Sequence, residues 1–462
     1  MKDSYYIKQC KQSWYLIIIS STMSGIYTLI TSPGIMYADS YGRINFTYTV
    51  IDCVKKVFTG YRNTITAKSW LTVTPSFFMA ISRILTGDIV FYTFGQAFLF
   101  LLVSLFLIRR VNTHYPIIQY ILFITCPLYY AVSVYYEAGI GCVTGISMLI
   151  LLLMGVDDCI TTFDVILNWS MIALASFITF GYRANAFTII PPLFAFIFLM
   201  VKRKILRKIC LIAAIMIGLS GTALLPKIFG IDTMSSYSTG FVWEIFTTIQ
   251  NMDIEKQEEY TDYLDEIGGS GSTEEALTFS SVSTVNSFLG CSRFDMLTLS
   301  EEDNGMIAVQ KYIELWMEEP RACLQTKWEF VKKTLGIGEP INCWEYGYNI
   351  YDRMDELGFH DWKPREMFVD SYLGFHRCIS ILRYPWIIYA ITLVLVVWLW
   401  IKKDDRRQLY SYILAIAVFY YGAFILNTQS FELRYFYPSL YLMSIMDTAI
   451  LMDLVAVLIK KL

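Results

Sequence analysis

The sequence has little charge and almost no histidine. Only 17% of its 462 residues are Asp, Glu, Lys or Arg, and three are histidine. Its ten cysteines include no C-x-x-C pair, so the ligand spacing of a structural zinc site is missing. No internal repeat is found along the chain, which leaves the inverted-repeat plan of many transporters without support.

The sequence is rich in apolar side chains. Hydrophobic residues make up 55% of the chain and aromatic residues 16%. Apolar runs of about 18 residues or more are long enough to cross the hydrocarbon core as helices. The sequence therefore predicts an all-α polytopic membrane protein with about ten transmembrane helices. The predicted spans are residues 13–33, 89–108, 115–134, 138–156, 163–181, 186–201, 208–225, 385–401, 409–426 and 437–459.

The basic residues between these runs orient the helices. Lys and Arg collect in cytoplasmic turns, so we expect both termini inside and a multi-pass protein of the cell (plasma or inner) membrane. We also expect the first run to be a retained span and not a cleaved signal peptide. The turns predicted to face inside carry Lys8 and Lys11, Arg109-Arg110, the basic run 202–208, Lys402-Lys403 and Lys460-Lys461.

The segment from Trp70 to Leu85 tests this scheme. It is apolar enough to resemble another span, but counting it as one would turn Arg109-Arg110 to the outside. We interpret it as a juxtamembrane helix on the outer leaflet, opened by Pro75 and carrying Arg83.

Charge divides the chain into three parts. Residues 226–384 carry a net charge of −14, whereas the rest of the chain carries +11. We expect an N-terminal membrane module at 1–225 with a first outer loop at 34–88, a mostly helical soluble outer domain at 226–384, and a C-terminal membrane module at 385–462. Helical spacing predicts helices at 304–317 and 321–335 in the outer domain. An acidic outer domain argues against nucleic acid as a partner.

Two acidic residues lie at the predicted outer face. Asp39 follows the first span, where a partly desolvated carboxylate can take a proton from a hydroxyl. The alternative is that Asp39 caps a helix at 40–57. Glu137 lies between the third and fourth predicted spans on the same face, and its alternative is a solvated carboxylate without a function.

Two arginines occupy the same face against the charge bias. Ionisable residues near a membrane are functional candidates, and Arg183 is one, although binding to lipid phosphates alone would also explain it. Arg434 stands in an aromatic turn followed by Pro438, where its planar guanidinium can bind a phosphate through two hydrogen bonds. Glu432 beside it can orient or neutralise it.

Two further acids lie within the last predicted span. Asp447 and Asp453 have no basic partner inside the membrane by sequence. Polar contact between helices is the plain interpretation. A proton relay is the alternative, and it would favour a transporter.

These features together resemble the glycosyltransferase C superfamily, whose integral-membrane members use sugars carried on polyprenyl phosphates. Residues 37–40 are similar to its first-loop acidic motif, and residues 69–75 to its juxtamembrane segment with proline. Glu137 matches a second acidic position, and residues 183–186 and 434–438 resemble its arginine-bearing outer turns. The usual His-Pro is Thr-Pro here, and no Asp-x-Asp occurs in the first loop.

The resemblance implies an inverting transfer of a sugar from a polyprenyl-phosphate donor to a lipid or glycan acceptor hydroxyl at an active site facing outside. Asp39 would be the general base, and Glu137 a second catalytic residue. Phosphate binding would fall to Arg434, with further contributions from Arg183, Lys68, Tyr435 and Arg83. The missing Asp-x-Asp leaves a divalent cation, Mg or Mn, only as a possibility, and no other cofactor is implied.

Two rivals remain open. A polysaccharide polymerase or ligase acting on polyprenyl diphosphates would use the outer arginines without needing Asp39. A non-enzymatic lipid or polysaccharide transporter would instead depend on Asp447 and Asp453.

The topology is testable by labelling single cysteines in a variant without the native ones. We expect positions 39, 269 and 427 to react with an impermeant reagent from outside, and positions 204 and 404 only from inside. Labelling of position 204 from outside would contradict the ten-span scheme.

Overall fold

The structure is a computed structural model that describes residues 5–35, 38–58, 67–69, 71–112, 114–126, 129, 133–135, 137–234, 237–267, 273–282, 302–341, 362–378, 380–428 and 430–459. For some residues within helices, Asp39 among them, only the backbone is described. The elements up to residue 228 are α1 Tyr5–Thr31, α2 Ala38–Phe58, β1 Ala67–Ser69, α3 Val73–Thr86, α4 Val90–Val111, α5 Pro116–Thr125, α6 Ala138–Gly155, α7 Thr162–Tyr182, α8 Ile190–Met200 and α9 Ile205–Ile228.

The remaining elements are also mostly helical. They are β2 Ile231–Thr233, α10 Ser238–Gln250, α11 Ile254–Glu259, α12 Thr261–Asp265, α13 Thr273–Phe279, α14 Glu302–Glu318, α15 Pro320–Leu335, α16 Lys363–Cys378, α17 Pro385–Ile401, α18 Arg407–Leu426 and α19 Leu433–Ile459. Short 3₁₀ turns lie at Val156–Asp158, Ala184–Ile189 and Ser380–Arg383. The two strands pair in parallel, with Lys68 opposite Asp232.

Seven of the described helices are long and apolar enough to cross a membrane. They coincide with seven of the ten predicted spans, and they make the chain an all-α, multi-pass membrane protein. The seven are α1, α4, α6, α7, α9, α18 and α19.

The other three predicted spans correspond to shorter helices, so the number ten stays a prediction. α5 covers ten residues of the run 115–134, and Pro127 in the sequence disfavours its continuation because proline lacks an N–H. The run 186–201 begins as a 3₁₀ turn, and α8 starts only at Ile190, just before two prolines. α17 has 17 residues. At 14 residues, α3 spans only about 21 Å and agrees with the juxtamembrane prediction.

Glycines allow α6 and α7 to pack closely. A Cβ on Gly145 would lie 2.8 Å from the backbone nitrogen of Thr179 and 2.9 Å from the carbonyl oxygen of Ala175. One turn earlier, Gly141 lies against the ring of Tyr182. Small residues four apart are the usual means of close helix contact in membranes. The packing sets the start of α6 beside the end of α7.

Charged turns meet at the far end of α6, which we call the basic end. Arg110 lies 3.6 Å from the Asp158 carboxylate, and Arg203 donates to the carbonyl oxygen of Cys159 at 3.1 Å. Arg406 binds Asp453 of α19 at 2.6 Å. The charge bias of the sequence predicts these turns on the cytoplasmic side, and that orientation stays a prediction.

The helices from α10 to α15 share a hydrophobic core of their own, and we call them the helical domain. The ring of Trp243 in α10 lies 4.6 Å from that of Phe330 in α15 and 5.4 Å from that of Phe431. The predicted helices 304–317 and 321–335 are confirmed as α14 and α15. Phe431 lies in the turn before α19, so the hydrophobic core of the helical domain includes a residue from the C-terminal module.

Two polar ties attach this domain to the end of α18. Lys327 binds the buried carboxylate of Glu244 at 2.6 Å and donates to the carbonyl oxygen of Leu426 at 3.0 Å. Asn427 donates to the carbonyl oxygen of Tyr237 at 3.0 Å.

The close α6–α7 contact predicts opposite effects for two glycine substitutions. Gly145→Ala forces a methyl group against backbone atoms, and we expect it to lower the free energy of unfolding by about 1–3 kcal/mol. Gly95→Ala in α4 meets no atom within 4 Å and should be neutral or stabilising by up to about 1 kcal/mol. Thermal unfolding in detergent measures both, and equal shifts would contradict the packing described.

Candidate functional site

Four distant segments meet at Glu137, at the end of α6 opposite the basic end. Its carboxylate forms ion pairs with Arg183, with Arg43 at 3.4 Å and with Arg434 at 3.6 Å. We call these four residues the arginine cluster. The structure thus brings together Glu137, Arg183 and Arg434, which the sequence predicts at one face.

Helix ends explain the central pair. Glu137 is the N-cap of α6 and accepts a hydrogen bond from the backbone N–H of Gly139 at 3.4 Å. Arg183 is the C-cap of α7. A carboxylate at a helix N-terminus and a cation at a C-terminus are both favoured by the helix dipoles. The antiparallel packing of α6 and α7 then sets the two side chains against each other.

Arg434 reaches the cluster from the first turn of α19. A Cβ on Gly139 would lie 3.0 Å from the carbonyl oxygen of Arg434, so a glycine there lets the two helix starts approach. The Nε atom of Arg434 donates to the Glu432 carboxylate at 2.6 Å. Glu432 therefore orients the guanidinium, as one of the two sequence interpretations has it.

Tyr435 lies beside two of the guanidinium groups. The Cζ atoms of Arg183 and Arg434 stand 4.6 Å and 4.8 Å from the centre of its ring. At these distances the ring attracts both cations. The ring of Tyr435 thus helps to hold the two arginines together, and its predicted contact with a substrate stays a prediction.

Arg43, the fourth member of the cluster, is not among the site residues predicted from the sequence. It lies in α2, and Ser76 of α3 donates to its carbonyl oxygen at 2.9 Å. The start of this loop is tied down nearby, because the N–H of Ile35 donates to the carbonyl oxygen of Val134 at 3.0 Å. Arg43 is a basic residue in a loop predicted to face outside. The same feature, a basic residue on the outer face, is what makes Arg183 a candidate, so it could also have pointed to Arg43.

Asp39 lies in the first turn of α2. Its side chain is outside the described part of the structure. Positions 39 and 43 are four residues apart, hence one helical turn apart on the same side of α2. The backbone therefore places position 39 one turn from a member of the arginine cluster.

Arg83, another predicted binding residue, lies away from the cluster. The guanidinium of Arg83 stacks on the ring of Tyr48 at 4.5 Å. It is about 13 Å along α3 from Thr74, and Thr74 is the residue that packs against Gly181 near the cluster. Lys68 is exposed on β1. The structure does not bring Arg83 into the cluster, because α3 points its C-terminal end away from it.

The cluster is deeply buried. Exposure of the side chains is 0% for Glu137, 4% for Arg43, 12% for Arg183 and 7% for Arg434. With Glu432, three guanidinium groups face two carboxylates among the described side chains. Burial raises the pKa of Glu137, but the charges of Arg183, Arg43 and Arg434 outweigh burial and lower it from 4.5 to about 2. Glu137 is therefore ionised at neutral pH.

The two acids of the last helix have different surroundings. Asp447 accepts a hydrogen bond from the hydroxyl of Thr392 at 2.8 Å. Asp453 is bound by Arg406 at 2.6 Å and lies 3.2 Å from His114. Asp453 thus has basic partners from neighbouring turns at the basic end.

Among the residues that the structure describes, no three His, Cys, Asp or Glu side chains lie close enough together to hold a metal ion.

Comparisons with protein-family models, curated proteins and solved structures find no match to this chain.

The low pKa of Glu137 predicts a pH-dependent loss of stability. Because the pKa is about 2 in the folded protein and 4.5 ordinarily, the stabilisation is complete above pH 4.5 and is lost as the pH falls towards 2. Glu137→Gln should lower the free energy of unfolding by about 3–5 kcal/mol at pH 7. The difference from the wild type should shrink between pH 4.5 and 3 in denaturant titrations.

Glu255→Gln is the matched control, since Glu255 is exposed on α11. It should leave stability unchanged across this range. A deficit of Glu137→Gln that stays constant with pH would contradict the ionised cluster.

Proposed function

We propose that the arginine cluster binds the phosphate of a lipid-linked sugar and that the protein is a membrane glycosyltransferase. The donor would be a polyprenyl-phosphate sugar, and the acceptor a hydroxyl of a lipid or glycan at the cell surface. One observation carries the proposal: three arginines from three distant segments converge on one buried carboxylate at one end of the membrane helices.

The charge and chemistry of the cluster favour a phosphate ligand. Three guanidinium groups are gathered within ion-pairing distance of one carboxylate. Guanidinium groups match phosphate oxygens through paired hydrogen bonds. The position at the ends of α6, α7 and α19 is also where the phosphates of membrane lipids lie.

The two glutamates then serve the arginines. Glu137 has a pKa of about 2, which makes it a poor proton acceptor near neutral pH. We therefore assign Glu137, first predicted as catalytic, to positioning Arg183 and Arg43. Glu432 does the same for Arg434. The ionised phosphate of the donor would bind at the edges of Arg183 and Arg434, the two guanidinium groups beside Tyr435.

Asp39 remains the proposed general base. Its carboxylate would take the proton of the acceptor hydroxyl as the oxygen attacks the anomeric carbon of the sugar. The bond between that carbon and the phosphate oxygen would break, and its electron pair would leave with the lipid phosphate. The configuration at the carbon would invert. Arg434 and Arg183 would stabilise the charge that develops on the leaving phosphate.

The helical domain would form a wall of the acceptor site. The domain contacts Leu426, Asn427 and Phe431. Of these, Phe431 directly precedes Glu432 and lies three residues before Arg434. An acceptor held by this domain would therefore be delivered next to the phosphate-binding arginines.

A polymerase or ligase acting on a polyprenyl diphosphate is the second candidate. The number of arginines supports it, because three guanidinium groups can pair with the additional oxygens of a diphosphate. A transporter has less support, since Asp453 is engaged by Arg406 in place of standing as a free relay acid.

Two substitutions separate the proposed roles. Asp39→Asn keeps the size of the side chain and removes the base, so turnover should fall by roughly 10²–10⁴-fold while donor binding is preserved. Arg434→Lys keeps the charge and loses the paired hydrogen bonds, so donor affinity and turnover should both fall. Transfer of radiolabelled sugar from polyprenyl phosphates by the purified protein measures turnover, and equilibrium binding of the same donors measures affinity.

The matched controls lie on exposed positions. Asp52→Asn changes an exposed acid on the same helix α2, and Arg321→Lys an exposed arginine on α15. Both should retain wild-type turnover. A fully active Asp39→Asn protein that still needs Arg434 would point to the polymerase candidate, and loss in neither variant would reject the site.

A further inference from the structure

A groove opens at the basic end, on the other side of the molecule from the arginine cluster. It lies between the first turns of α1 and the last turns of α4 and α6, with α7 contributing to one wall, and has a volume of about 390 Å³. Its walls are largely apolar, formed by Phe106, Met148, Leu151, Leu152 and Met171. The volume falls in the range of small-molecule sites.

Two adjacent arginines form the rim of this groove. Arg109 and Arg110 end α4, and Arg109 donates to the hydroxyl of Ser13. Arg110 pairs with Asp158 at 3.6 Å, and both side chains are nearly half exposed. Exposed pairs of this kind are weak, so a stronger anion can displace the carboxylate. None of the described residues that line the groove is acidic.

The combination of apolar walls and a basic rim matches one class of molecule. Gln9 and Cys10 place the groove just before the span Ser13–Thr31, and its walls belong to the ends of membrane-spanning helices. At that depth an apolar groove is open to acyl chains, and the rim is level with lipid headgroups. Basic pockets between transmembrane helices bind acidic headgroups through the same charges.

We propose that this groove binds one anionic glycerophospholipid of the adjacent leaflet, with its phosphate on Arg109 and Arg110 and an acyl chain along Met148, Leu151 and Leu152. The lipid fills the space between α1 and the α6–α7 pair. It therefore acts as a packing element that ties the first helix to the rest of the bundle.

Native mass spectrometry of the purified full chain tests the proposal. The protein is titrated with phosphatidylglycerol and with phosphatidylcholine of identical acyl chains, and lipid-bound species are counted. The wild type should bind the anionic lipid preferentially, one molecule per chain. Arg110→Gln should reduce this preference about fivefold, the factor expected for one basic residue at an anionic membrane surface. Leu151→Trp should weaken binding of both lipids by filling the groove.

Arg207→Gln is the matched control, because Arg207 is exposed on α9 at the same end and does not line the groove. It should keep the wild-type preference. An equal effect of Arg207→Gln and Arg110→Gln would show diffuse attraction to the membrane and overturn the site, as would equal binding of the two lipids by the wild type. Unfolding temperatures of all variants, measured without added lipid, separate lost binding from lost folding.

Discussion

The ion pair between Glu137 and Arg183 sets the geometry at one end of the bundle. It joins the N-cap of α6 to the C-cap of α7, and it forms only because Gly141 and Gly145 let these helices approach. A carboxylate buried this deeply is tolerated because several cations and a helix N-terminus compensate its desolvation. Every other member of the cluster has to reach that fixed point, so the first loop and α19 are positioned by the same carboxylate.

The charge bias of the sequence was enough to identify part of the site. Glu137, Arg183 and Arg434 stand out because each is charged where the neighbouring turns of the same face are not, and that signal is local. The residues with which they form ion pairs, however, are distant in the sequence. Arg43 joins Glu137 across 94 positions, and only the crossing of α2, α6 and α7 brings them together. Arg83 carried the same signal, but the direction of α3 turns it towards Tyr48.

The fold shows a similar limit. Hydropathy located seven helices that can span the membrane, whereas three apolar runs contain shorter helices. Window averages of hydropathy do not register that Pro127, Pro191 and Pro192 each remove a backbone donor.

The charged residues at the two ends of the bundle differ in how far they are exposed. At the basic end, Asp157 and Asp158 pair with arginines whose side chains are partly exposed, whereas at the cluster end the arginines are buried around Glu137.

Phe431 has a consequence for how the chain is made. It packs on Trp243 and Phe330, yet it follows the last residue of α15 by 96 positions. A ribosome delivers the chain from its amino terminus, so the helical domain leaves the ribosome with two aromatic rings uncovered. Two further apolar helices, α17 and α18, have to be placed before the covering residue arrives. The hydrophobic core of this domain is therefore completed only after α17 and α18 have been synthesised, so the folding of the domain waits for apolar helices that follow it in the sequence.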